Sequence, residues 1–141
     1  MATVLEVWKK HLYESEGKVP YAYQDSKEYW TIGVGRLIDK RLGGGLSDDE
    51  IEYLLSNDMK KAEITARKLV KNFDALTDNR KVVNLDLAFN LGETKLAKFV
   101  NTLKAINEGR WEDAAKGMEN SLWYVQVGKR SKKLVQMMRQ G

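Results

Sequence analysis

The hydrophobic positions of this chain repeat with two different periods, and the places where the period changes mark its elements. Val4, Leu5, Trp8 and Leu12 recur at helical spacing, which predicts an amphipathic helix from Val4 to about Tyr13, with Glu16 at its end. Gly17 then offers a left-handed cap, and Pro20 prevents the helix from resuming. Tyr21-Ala22-Tyr23, a polar turn over Gln24 to Lys27, and the period-two run Trp30 to Gly35 predict a short β-hairpin. That region ends at Leu42-Gly43-Gly44-Gly45, a flexible turn; no Gly-Lys-Ser/Thr follows, so it is not a phosphate cradle.

Ser47-Asp48-Asp49-Glu50 is a capping box, with Leu46 placed to staple onto Ile51. Ile51, Leu55, Ala62 and Leu69 share one stripe with Asp58, so the helix runs to about Val70, on the order of 35 Å at ~1.5 Å per residue. Thr77-Asp78 caps the next helix, whose buried face is Val83, Leu87 and Leu91, and Gly92 breaks it. Phe99, Leu103 and Ile106 mark another helix, closed by Gly109; Trp111 to Met118 is a short one; Arg130 to Arg139 is the last, carrying Leu134, Val135 and Met138. The fold class is therefore α+β and mostly helical. We expect a single domain over 1–141: a small lobe at about 14–46, a linking helix at about 47–70, and a helical lobe at about 71–141 packed with helix 4–13.

Composition narrows the chemistry. With 141 residues, 43% hydrophobic and 31% charged, the chain suits one soluble domain with a real core. There is no cysteine and a single histidine, His11, which argues against a thiol catalyst, a disulfide framework or a metal site. Lys9, Lys10 and His11 interrupt the N-terminus, so neither a signal peptide nor a membrane span is expected. The net charge is +4, with Lys129, Arg130, Lys132, Lys133 and Arg139 massed near the C-terminus. Such a cluster suits a polyanion or, equally, a solvated helix face. No nucleic-acid recognition motif accompanies it.

Two carboxylates bracket the hairpin: Glu16 leaves a helix and Asp25 sits in the turn, with the Thr31 hydroxyl on the returning strand. Two acids on separate rigid elements are the minimum apparatus for hydrolysing a glycosidic bond. Spacing alone does not establish this, because twenty acidic residues guarantee many such pairs.

The local sequence says more. Glu16-Gly17, Tyr21-x-Tyr23-x-Asp25 and Trp30-Thr31-Ile32-Gly33-x-Gly35 closely resemble the active-site segment of the phage T4-type lysozymes, muramidases that cut bacterial peptidoglycan. Asn90-Leu-Gly-Glu-Thr94, Gly109-Arg-Trp111-Glu-Asp-Ala-Ala115 and Ser121-Leu-Trp123-Tyr124 extend the likeness over nearly the whole chain. The resemblance implies that Glu16 is the general acid, that Asp25 positions or activates water, and that Thr31 helps hold it. It also implies that Leu37, Phe89, Asn90, Thr102 and Gly117 contact the glycan and that Arg130 pairs with the catalytic glutamate. For Trp111 and Trp123, core packing is the better reading.

Where the family usually has a histidine, this chain has Arg36, and the segment from Arg36 to Leu46 is shorter than in the best-known member. Asp58 lies opposite that position in the family, so an Arg36–Asp58 ion pair is expected. The resemblance implies an inverting muramidase without metal or cofactor, acting on peptidoglycan as a monomer, with no nucleic-acid partner and no stable membrane association. Such a protein is made in the cytoplasm and reaches the wall after release by another factor such as a holin. A lytic transglycosylase, which uses a single glutamate, and a non-catalytic glycan-binding module are the alternatives.

Overall fold

The computed structural model describes residues 2–141, which form two compact units, one up to Tyr53 and one over Leu54–Gly141. The first unit opens with α1 (Val4–Glu16). Thr3 and Glu6 close a capping box at its start that the hydrophobic pattern did not reveal. Gly17, at φ 78°, stops it directly after Glu16, and its N–H donates to Tyr13 O at 3.1 Å. A positive φ costs glycine little, which explains the residue that follows the acid.

Strands β1 (Val19–Gln24), β2 (Trp30–Gly33) and β3 (Arg36–Leu37) make an antiparallel sheet in that order. Tyr23 faces Thr31, Thr31 faces Leu37, and Ile32 faces Arg36. The hairpin is thus as expected, whereas β3 is too short to show a period of its own. A single 3-10 turn at Lys40–Leu42 leads through the glycines to α2 (Asp48–Leu69), whose Ser47–Glu50 capping box is present. Thr31 is the one buried residue among those described in the first unit.

The boundary between the units falls within α2, and the helix changes character there. The expected apolar stripe is only partly covered: Ile51 and Leu55 are exposed, whereas Ala62 and Ala66 are buried and Leu69 is half-buried. Periodicity identifies residues that share a face but not what covers the face. The same holds for α1, which buries no residue; Trp8 is 57% exposed.

The second unit is all helical: α3 (Asp78–Ala97), α4 (Val100–Asn107), α5 (Trp111–Glu119), α6 (Leu122–Val127) and α7 (Lys129–Gln140) follow the end of α2. Gly92, at φ 76° and ψ 171°, kinks α3 where a break was expected. The short α6 was not visible in the pattern, because six residues hold fewer than two turns. Val83, Leu87, Leu103, Ile106, Met118, Leu134 and Met138 belong to one core with Trp123, which is buried as expected. Trp111 is half-buried under the Arg80 guanidinium, 4.0 Å from the ring centre. Arg80 also donates to Met138 O at 2.8 Å and Arg139 O at 3.1 Å, so it satisfies carbonyls at the end of α7 that have no helical partner.

Candidate active site

In the first unit the end of α1, the turn after β1 and strand β2 carry the three residues expected to do chemistry. Glu16 is the last residue of α1 and its carboxylate is exposed. Gly35, at φ 67°, lies against it: a Cβ built there would stand 2.8 Å from Glu16 Oε2. The bare backbone at Gly35 therefore makes room for the acid.

Asp25 and Thr31 are fixed through one residue that sequence reasoning missed. Tyr29 N donates to Asp25 Oδ1 at 2.9 Å, and Tyr29 O accepts both Asp25 N at 2.9 Å and Thr31 Oγ1 at 3.0 Å. Lys27 N also donates to Asp25 Oδ1, at 2.9 Å. Two backbone amides aim the carboxylate, an Asx-turn arrangement that needs only a short acidic side chain in a turn. Glu28 takes φ 65° to let the turn close, which is uncommon for a residue with a Cβ. Asp25 Oδ2 accepts no hydrogen bond from the described residues, so half of the carboxylate stays open. Thr31 is 4% exposed and its hydroxyl donates its hydrogen bond to Tyr29 O, so towards any other group its oxygen accepts. The result is two acceptors, Asp25 Oδ2 and Thr31 Oγ1, on side chains anchored to the backbone N–H and C=O of the same residue, Tyr29.

Arg36 finds a partner within its own unit. Arg36 Nη1 bonds Glu50, at 2.8 Å to Oε1 and 2.7 Å to Oε2. Glu50 also accepts from Ser47 N at 2.9 Å and Ser47 Oγ at 3.0 Å. The Arg36 hydrogen bond and then those from Ser47 hold its carboxyl down at about 2. The capping glutamate is already fixed in place, whereas Asp58 is exposed, solvated by water and in no need of a cation. Leu37 is half-buried and lines a cavity of about 450 Å³ with Arg36 and the glycine segment.

In the second unit, Arg130 grips Asp86 with two nitrogens, Nη2 to Oδ1 at 2.5 Å and Nε to Oδ2 at 3.2 Å. Asn90 donates to the same aspartate, at 3.0 Å to its carbonyl and 3.3 Å to Oδ2. Asp86 was not singled out in the sequence; its spacing from Asn90, one helical turn, was the available signal. Phe89, next to Asn90, is 46% exposed. Asp58, Lys61, Thr65 and Phe89 are among the residues around a second cavity, of about 340 Å³. Thr102 and Gly117 meet each other: Thr102 is buried, and its Oγ1 occupies the space that a Cβ on Gly117 would need. Gly117 is thus explained by the close approach of α4 and α5. Among the described residues no cluster of His, Cys, Asp and Glu could hold a metal ion.

This fold, a small three-stranded antiparallel sheet with seven α-helices, is lysozyme-like, and comparison with known proteins gives the family. The phage lysozyme family matches residues 13–140, and the chain belongs to it. It is 28% identical over 159 aligned positions to probable T4-type lysozyme 2 of Dictyostelium discoideum, covering 94% of each protein. It is 26% identical over 135 positions to peptidoglycan hydrolase gp36 of Pseudomonas phage phiKMV, covering 93% of this chain and 15% of that protein. It is also 26% identical over 155 positions to the pre-baseplate central spike protein Gp5 of Enterobacteria phage T4, covering 92% of this chain and 27% of that one. The protein is a glycosidase-type enzyme of lysozyme-like cell-wall hydrolysis.

Proposed function

We propose that the protein is a muramidase that hydrolyses the β-1,4 bond between N-acetylmuramic acid and N-acetylglucosamine of bacterial peptidoglycan, with inversion at the anomeric carbon. Glu16 protonates the departing glycosidic oxygen as its bond to the anomeric carbon breaks. A water molecule donates one hydrogen to Asp25 Oδ2 and the other to Thr31 Oγ1, which leaves a lone pair on its oxygen for attack. As the new carbon–oxygen bond forms, the proton shared with Asp25 passes to that carboxylate. Inverting enzymes keep roughly 6.5–9.5 Å between the two carboxyls to admit this water.

The observation that carries the reading is the shared anchor at Tyr29. Thr31 has no proton left to offer, and Asp25 has one oxygen open, which suits a base with a positioned water better than a nucleophile. A transglycosylase closes the sugar onto itself and needs no such water holder. Chemistry of this kind uses no metal or cofactor. Within the second unit Phe89 and Asn90 are the residues offered to the glycan, with Asp86 fixing Asn90 and holding Arg130.

No helix among the described residues is long and apolar enough to cross a membrane. On this reading the protein works as a monomer on the wall, reaching it from the cytoplasm after a separate factor such as a holin opens the way. Proton NMR of freshly cleaved glycan tests the mechanism. Initial release of the α-anomer is expected; the β-anomer, or a 1,6-anhydro product, contradicts it.

A further inference from the structure

No aspartate or glutamate occurs between 120 and 141, a stretch that holds Lys129, Arg130, Lys132, Lys133 and Arg139. Arg130 and Arg139 take carboxylates from elsewhere in the unit, Asp86 for the first and Glu112 and Glu119 for the second. Lys129, Lys132 and Lys133 are exposed and have no carboxylate partner among the described residues. They stand at the start of α7, whose first turn has no acid and whose N-cap, Gly128, offers no side chain. A helix start favours anions and disfavours cations, so these lysines work against the helix that carries them. An arrangement that breaks a local rule marks a use beyond the fold.

The other side of α7 is already occupied. Ser131, Leu134, Val135 and Met138 are buried, so α7 has no apolar face to turn outward while the unit is folded. The apolar surface beside the lysines comes from α6. Trp123 points into the core, whereas Leu122 is 70% and Val125 74% exposed; three residues apart, they share one side of the helix. The Ser131 hydroxyl fixes the two helices to each other, reaching Tyr124 O at 2.7 Å and Gly128 O at 2.5 Å. Gly128 N donates to the same Tyr124 O at 3.4 Å. The end of α6, with Val125, is thereby held against the start of α7, with Lys129.

An apolar ridge bordered by unpaired ammonium groups is complementary to an anionic bilayer surface. Headgroup phosphates meet the lysines, and the acyl boundary takes the apolar side chains. A soluble polyanion would use the lysines and leave Leu122 and Val125 in water. We propose that the corner formed by α6 and α7 binds an anionic lipid bilayer, reversibly and without crossing it. The surface works with α7 still packed in the core, and it is independent of the glycan chemistry.

The test is cosedimentation of the full chain with vesicles of equal parts phosphatidylglycerol and phosphatidylcholine, and with vesicles of phosphatidylcholine alone. The wild type is expected to partition into the anionic vesicles only, and to leave them in about 1 M salt, where charges are screened beyond ~3 Å. Lys129→Gln, Lys132→Gln and Lys133→Gln together lower the partition coefficient about a hundredfold, at roughly fivefold per lysine. Leu122→Gln with Val125→Gln lowers it about tenfold through the lost apolar burial. The same charge removed elsewhere in the unit, by Lys95→Gln, Lys98→Gln and Lys104→Gln, lowers it at most about threefold, because distant charges are screened. Every side chain replaced is exposed, so the fold is kept. No partition, or equal partition into both kinds of vesicle, overturns the proposal. An affinity that Leu122→Gln with Val125→Gln leaves unchanged overturns it in favour of a soluble polyanion. Self-association of the wild type that these two substitutions abolish overturns it in favour of a contact between copies.

Discussion

Gly35 and Glu16 are in contact, and the contact exists because Gly35 has no side chain. A methyl group there would stand 2.8 Å from Oε2 and 3.1 Å from Cδ of the glutamate. The second glycine of Gly33-Val34-Gly35 therefore sets where the acid can lie, and its φ of 67° excludes most other residues on backbone grounds as well.

Gly35→Ala is accordingly expected to reduce kcat by roughly 10², since displacing a catalytic group by about 1 Å costs that much. The strain at positive φ adds a loss of about 1 kcal/mol in stability. Wall-clearing rates and denaturant melts on the same preparation measure both. Full activity in a folded Gly35→Ala protein contradicts the contact.

The Thr31 oxygen is expected to matter as an acceptor. Thr31→Ser keeps both the bond to Tyr29 O and the acceptor, and retains most activity. Thr31→Val removes both and lowers kcat at least tenfold, a part of the ~10²–10⁴ that positioned proton transfer contributes as a whole. The carbonyl of Tyr29 keeps its bond from Asp25 N, so the fold of the turn survives. Equal rates in the two variants count against Thr31 as a water holder.

The Arg36–Glu50 pair gives a pH dependence with a definite sign. The Glu50 carboxyl is depressed to about 2 from an ordinary 4.5, so its contribution to stability is fully present above the unfolded value. It is lost as pH falls from about 4.5 through about 2. Glu50→Gln keeps an oxygen for the Ser47 amide and removes the charge. Its denaturant midpoint is expected below wild type by a constant amount from pH 6 to 9, with the gap closing in acid. A gap that grows below pH 4 contradicts the pair.

How much of this was legible in the sequence follows from the reach of each signal. The Ser47–Glu50 cap, the hairpin and the kink at Gly92 are local, and they stand where the residues said. The places of Glu16 at a helix end, Asp25 in a turn and Thr31 on a strand were legible because each belongs to a pattern in a short stretch. Tyr29 was not, because it acts through its backbone, which no side-chain pattern reports. The pairing of Arg36 with Glu50 was not legible for a related reason. A helical stripe drew attention to Asp58, but that part of α2 is exposed, and Glu50, the capping glutamate, holds the arginine. Asp86 escaped notice because a carboxylate on a helix is usually a solvated one; only the fold brings Arg130, 44 residues away, onto it.

Asn84 is 1% exposed, and its Oδ1 has no partner among the described protein groups, while Nδ2 bonds Arg80 O at 2.8 Å within the same helix. A buried acceptor left unpaired costs about 1–3 kcal/mol. Asn84→Leu is therefore expected to stabilise the protein by roughly 1 kcal/mol, because the apolar side chain lacks the orphaned oxygen. Thermal unfolding measures it, and a lower midpoint contradicts the expectation.

The most direct measurement compares wild type with Glu16→Gln on outer-membrane-permeabilised Gram-negative cells, following turbidity, with thermal unfolding alongside. Gln is nearly isosteric and cannot supply the proton. Glu16 is also an exposed carboxylate placed for chemistry rather than for packing. The expected result is clearing slowed by at least about a hundredfold, given that acid catalysis contributes ~10²–10⁴, with a melting temperature equal to or above wild type. A Glu16→Gln protein that clears cells at more than about a hundredth of the wild-type rate would show that Glu16 is not the acid.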